Sequence, residues 1–153
     1  MKKLMLIAAL AVTTFGSTAW ADTAAIAVSA TVVGTCKFTG GGSIAFTLDP
    51  STTAAANGVV TNPVFWCTRG TSYTVSDDFG IHEATAGSAP RRMQHSLTAT
   101  EYIQYSLSYT STGTGAGKTS PITLTLTSAV ANIDFVNALA GSYADTVTVS
   151  ITP

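Results

Sequence analysis

The side chains of this 153-residue chain that could perform chemistry are few, and their spacing is wrong for most of it. His82-Glu83 opens like a zinc-protease motif, but Ala86 stands where the second histidine belongs, and His95 is the only other histidine. Asp77, Asp78 and Glu83 could hold calcium only with the regular ligand spacing that the segment lacks, so it reads as a solvated loop. The stretch 112–119 approaches a phosphate-binding loop. Thr112 occupies the position of the first glycine, and Pro121 leads into a β-type run where a helix is required. Serines are many, yet no Gly-x-Ser-x-Gly elbow presents one and no histidine is paired with a carboxylate. The residues point to no enzyme, no metal and no cofactor.

Cys36 and Cys67 are the exception. Residues 1–21 carry Lys2 and Lys3, then the apolar run 4–12, and close on Ala19-Trp20-Ala21, the pattern of a signal peptide cleaved between Ala21 and Asp22. An exported chain enters an oxidising compartment, where two cysteines with no metal partners form a disulfide. Closing that loop stabilises a fold by about 3 to 4 kcal/mol on the chain-entropy argument.

The mature chain keeps five basic residues against eight acidic ones, a net charge of −3, which implies no nucleic-acid surface. Arg91-Arg92 beside Pro90 reads as a solvated loop. Trp66, Tyr73, Tyr102, Tyr105 and Tyr109 could stack on sugars, but their alternating positions favour core packing.

The elements that must position these residues are strands. Short runs rich in Val, Ile, Thr, Tyr and Phe fall at 24–33, 43–48, 59–67, 72–77, 101–110, 122–127 and 143–152, which predicts an all-β sandwich. Turn residues separate them at 40–42, 49–51, 57–58, 78–80 and 112–120. Only 129–139 leaves room for a short helical or irregular crossover. The two terminal runs alternate most regularly. In one, Ile26, Val28, Ala30 and Val32 share a face, and in the other Val147, Val149 and Ile151 do. The second run is followed only by Pro153, so the sequence suggests a spare strand at one end and a vacant slot beside the other.

Several ordered marks resemble the spore-coat-U-domain family, which includes pilins of the archaic chaperone-usher pathway. They are Gly34-Thr35-Cys36, Leu48-Asp49-Pro50-Ser51, Arg69-Gly70 after Cys67, Tyr102-Ile103-Gln104-Tyr105, and the closing run 141–149. The resemblance implies an incomplete immunoglobulin-like β-sandwich, residues 34–153, completed by the N-terminal donor segment, residues 22–33, of the next subunit. Ile26, Val28, Ala30 and Val32 would be the donated side chains, entering a groove that Val147, Val149 and Ile151 help to line. It further implies a surface pilus or fibre subunit supporting adhesion or biofilm formation. The partners would be a periplasmic chaperone, an outer-membrane usher and other copies of itself or related pilins, with no nucleotide and no nucleic acid. The route would run through the inner membrane to the periplasm and then to the cell surface. The alternatives are a spore- or cell-coat structural protein and a monomeric secreted glycan- or protein-binding module.

Overall fold

Proline, glycine and asparagine cut the apolar runs of this chain short, and several of the cuts move the chain from one sheet to another. The computed structural model describes residues 20–153; the signal-peptide reading falls mostly on residues outside these. The chain divides into two units, residues 1–31 and residues 32–153. In the described part of the first, residues 20–31, there is neither helix nor strand, and Ile26 and Val28 are 86% and 89% exposed. The run 24–33 is therefore not the strand that its alternation predicts. A strand exists only as part of a ladder, and no described segment pairs with this one.

The second unit is all-β apart from a single helical turn. Its strands are β1 (Cys36–Gly40), β2 (Ser43–Ala45), β3 (Ala56–Asn57), β4 (Val59–Thr61), β5 (Val64–Cys67), β6 (Ser72–Asp77) and β7 (Arg91–His95). Then follow β8 (Tyr102–Tyr109), β9 (Thr112–Thr114), β10 (Ile122–Thr123), β11 (Leu126–Val130), the turn α1 (Asn132–Phe135), β12 (Tyr143–Ala144) and β13 (Val149–Thr152). They form four sheets with orders β1-β5-β10, β12-β7-β8-β11-β3, β13-β6-β9 and β2-β4, and the described pairs are antiparallel.

Three predicted strands are broken for physical reasons. In 59–67, Pro63 lacks the N–H that a ladder needs, so β4 and β5 separate there and join different sheets. Across the same gap the Asn62 side-chain oxygen accepts the Leu126 N–H at 2.8 Å and the Pro63 carbonyl accepts the Leu124 N–H at 2.9 Å. These bonds break 122–127 into β10 and β11 at the matching place. The run 143–152 also divides, β12 pairing with β7 and β13 with β6. The loop expected at Arg91-Arg92 is instead the start of β7, with Arg91 8% exposed, and the loop expected at 112–120 begins with β9.

Two apolar clusters fill the sandwich. Phe65, Cys67, Val75, Leu124 and Leu126 centre the first, with the Phe65 ring edge-on to Phe38 and Tyr73 at 5.6 and 5.0 Å. Ile103, Val130 and Phe135 centre the second, and Tyr105 packs against it, as the alternation of the aromatic residues predicts. The Cys36–Cys67 disulfide forms as expected. Its cysteines stand directly opposite each other in the β1–β5 ladder, with Cα atoms 4.0 Å apart, and close a loop of sequence separation 31. Replacing both cysteines with serine lowers the unfolding free energy by about 3 to 4 kcal/mol, to be read as a reduced urea midpoint in equilibrium denaturation.

Candidate binding groove

The run 143–152 alternates as the sequence predicts: Tyr143, Asp145, Val147, Val149 and Ile151 are half-buried, while Ala144, Thr146, Thr148, Ser150 and Thr152 are exposed. It spans both clusters, since Tyr143 packs on the second and Val149 and Ile151 on the first. Among the described residues its backbone pairs on one side only. The Asp78 N–H donates to the Thr148 carbonyl at 3.2 Å and the Ile81 N–H to the Thr146 carbonyl at 3.2 Å. Alternation along a strand then turns the main-chain groups of Val147, Val149 and Ile151 the other way. On that side β13 is the edge of its sheet.

Beside that edge lies a cleft of about 860 Å³. Phe38, Gly42, Ile44, Leu126, Val147 and Val149 are among the residues that line it. Met93 and Tyr105, which pack on the second cluster, line it as well. The cleft thus lies where side chains of both clusters remain uncovered. Of the three groove residues that the sequence points to, Val147 and Val149 line it, whereas Ile151 sits further along the strand, packed on the first cluster.

The strand crosses between sheets over three carboxylates, of which the sequence reading assigned two to a solvated loop. Asp77 is buried, its side chain only 4% exposed. It accepts hydrogen bonds from Arg91 Nη2 at 2.6 and 2.7 Å, from the Tyr109 hydroxyl at 2.5 Å and from the Phe79 N–H at 2.8 Å. Arg91 in turn lies over the Phe79 ring at 4.7 Å. Burial pushes the Asp77 carboxyl up, but the bonds from Arg91, Tyr109 and Phe79 outweigh it and hold the pKa below the usual 3.8. The same carboxylate works on Tyr109, whose phenol is pushed up to about 12 by burial and then by Asp77. Asp78 accepts the Thr148 and Gly80 N–H groups at 2.9 and 3.0 Å.

Asp145 accepts the Tyr105 hydroxyl at 2.6 Å and the Ile81 N–H at 3.0 Å, and burial together with this carboxylate raises the Tyr105 phenol far above its ordinary range. The turn at 79–81 comes so close that a Cβ on Gly80, at φ +92°, would meet the Asp145 carboxylate. His95 is likewise structural. Its Nδ1 accepts the Leu97 and Thr98 N–H groups at 3.1 and 3.0 Å, and its ring stacks edge-on to Tyr143 at 4.9 Å. Among the described residues no group of three or more His, Cys, Asp or Glu side chains is arranged to hold a metal ion.

An open apolar cleft beside an unpaired strand edge, in an all-β body with one disulfide, is a frame to compare with known proteins. Residues 22–150 match the family model of the Spore Coat Protein U domain. The chain belongs to this family. Among solved structures, this spore-coat-U chain is similar to one described as the CsuC-CsuE chaperone-tip adhesion subunit pre-assembly complex from archaic chaperone-usher Csu pili of Acinetobacter baumannii. The identity is 21% and the TM-score 0.47, over 79% of this chain and 40% of that one, so the chain spans less than half the length of the chain it matches. A comparison with curated proteins finds no match.

The sequence missed Arg91 and the use of Asp77, although opposite charges bounding a turn between two strands are the signal that could have found them. Asp77→Asn leaves Arg91 buried without its counter-charge and destabilises the spore-coat-U domain by about 3 to 5 kcal/mol. Because the folded pKa lies below 3.8, the Asp77 contribution is present at pH 7 and fades as pH falls below 3.8 and the carboxyl takes up its proton. Denaturant titrations of both proteins at pH 7 and pH 3 should therefore give a smaller difference at the lower pH.

Proposed function

We propose that this chain is a structural subunit of a surface pilus or fibre, assembled by the chaperone-usher pathway through donor-strand exchange. In this reading residues 1–21 are removed on export between Ala21 and Asp22, residues 22–33 are donated, and residues 34–153 form the receiving body. The observation that carries it is the cleft of about 860 Å³ along the unpaired edge of Val147 and Val149, in a member of a spore-coat-U family. A β-strand laid there meets both needs of the site. Its main chain pairs with the outward-turned groups of residues 147–151, and its alternate side chains cover the uncovered apolar wall.

Ile26, Val28, Ala30 and Val32 supply side chains at strand spacing, and the three larger ones are largely solvated in the isolated chain. Burying those three contributes roughly 4.5 to 9 kcal/mol, at about 1.5 to 3 kcal/mol each, before the ladder bonds are counted. Before exchange, a periplasmic chaperone covers the groove, and an outer-membrane usher passes subunits to the surface, where the fibre supports adhesion or biofilm formation. A head-to-tail contact of this kind propagates as a filament and needs no nucleotide. Its persistence is kinetic, because withdrawing the strand reopens a divided core.

The test is gel electrophoresis in SDS of surface-sheared protein, unheated against boiled, with wild type beside Ile26→Asp/Val28→Asp. The expected result is a ladder in unheated wild type that collapses on boiling and is missing from the double variant. A single monomer band in every lane, from correctly oxidised protein, removes the fibre reading.

A further inference from the structure

The residues joining the donor segment to the body are held by Thr68, through its main chain and its hydroxyl. In the β1–β5 ladder Cys36 faces Cys67, so the next pair outward is Thr35 with Thr68, and the Thr68 N–H donates to the Thr35 carbonyl at 2.8 Å. The Thr68 hydroxyl accepts the Thr35 N–H at 3.1 Å and can donate to the carbonyl of Val33 at 3.2 Å or of Thr35 at 3.3 Å. Residues 33–35 therefore continue the line of β1 outward past the disulfide. The anchor is itself fixed. The Thr71 N–H closes the turn onto the Thr68 carbonyl at 3.0 Å, and the Gly115 N–H donates to the Thr71 carbonyl at 2.8 Å. Gly115 approaches so closely that a Cβ there would collide with the Thr68 carbonyl oxygen. A Cβ on Gly34 would stand 3.0 Å from the Thr71 side chain, so the chain lies flat against this turn.

The groove runs along the far half of β1, from Phe38, and on past its end. Its wall from this strand begins at Phe38 and runs on through Gly42 to Ile44, in the direction away from Thr35. A donor segment that entered the groove of its own body would have to reverse direction within residues 33–35, and that reversal breaks the Thr68 bonds and lifts Gly34 from Thr71. We infer that Thr68 is a positioning residue that holds the donor connection in line with β1, disfavours self-insertion, and so directs the segment to a second copy of this chain. The inference rests on the donor-strand reading above.

The experiment compares wild type, Thr68→Val and Thr68→Ser, each purified as the full mature chain, unfolded with its disulfide intact and refolded without chaperone. Monomer and polymer are quantified by size exclusion, and monomer is challenged with protease and mass-analysed for protection of residues 22–33. Valine keeps the shape and removes the hydroxyl; serine keeps the hydroxyl and serves as the rescue. Thr68→Val should raise the ratio of protected monomer to polymer by roughly five- to tenfold, the effect of about one net hydrogen bond. Thr68→Ser should stay close to wild type, and a general loss of folding would leave residues 22–33 unprotected in the monomer.

A wild-type polymer with an unchanged ratio in Thr68→Val overturns the role of Thr68 and leaves strand exchange standing. The role of Thr68 is equally overturned if Thr68→Val gives only unprotected monomer. Wild type that refolds wholly to protected monomer overturns both.

Discussion

A strand that leaves one sheet for another must find partners for its backbone at the crossing, and in this domain they are the main chain of the turn at 78–81 and the Asp78 carboxylate. Residues 145–148 belong to no ladder, yet Thr146 and Thr148 are bonded through Ile81 and Asp78, and Asp145 closes onto Tyr105. The turn that carries Asp78 stays in place because Asp77 is tied to Arg91, Tyr109 and the Phe79 N–H. A buried ion pair of this sort adds little net stability over apolar packing, but it is expensive to break on one side only. Its value here is geometric. It fixes the place where the last strand crosses, and so fixes which edge of that strand stays open.

The open edge and the two apolar clusters are one problem seen from two sides. Phe38, Ile44 and Leu126 belong to the first cluster, and Met93 and Tyr105 to the second, yet all border the same cleft. A strand in the cleft would complete the ladder and join the clusters in a single act. Apolar surface without cover is what drives association in water, and an unpaired edge gives the association direction and register.

Much of this was legible in the sequence. The disulfide followed from an exported chain with two cysteines, and the half-buried face of 143–152 followed from strict alternation of Val and Ile with Thr and Ser. What sequence reading overextends is strand length. Asn62-Pro63 lay inside a convincing β-type run, and the break there shows only when the gap is seen to be bridged by Leu124 and Leu126 from far along the chain. Arg91 misled for a related reason. An arginine next to proline looks solvated until a buried carboxylate 14 residues earlier, at the other end of the connection between two strands, is brought against it. The run 24–33 has the side chains of a strand but no described partner, and pairing, unlike propensity, belongs to two segments at once.

The disulfide sits one residue inside the Thr68 anchor, and that order matters if the chain is ever pulled. Tension arriving through residues 22–33 would meet the hydrogen bonds of Thr35 first and the covalent link of Cys36 to Cys67 immediately after. The link hands the load to β5, the middle strand of its sheet, held by β1 on one side and β10 on the other. Force would therefore enter through a strand with neighbours on both flanks and could not unzip β1 from its free end.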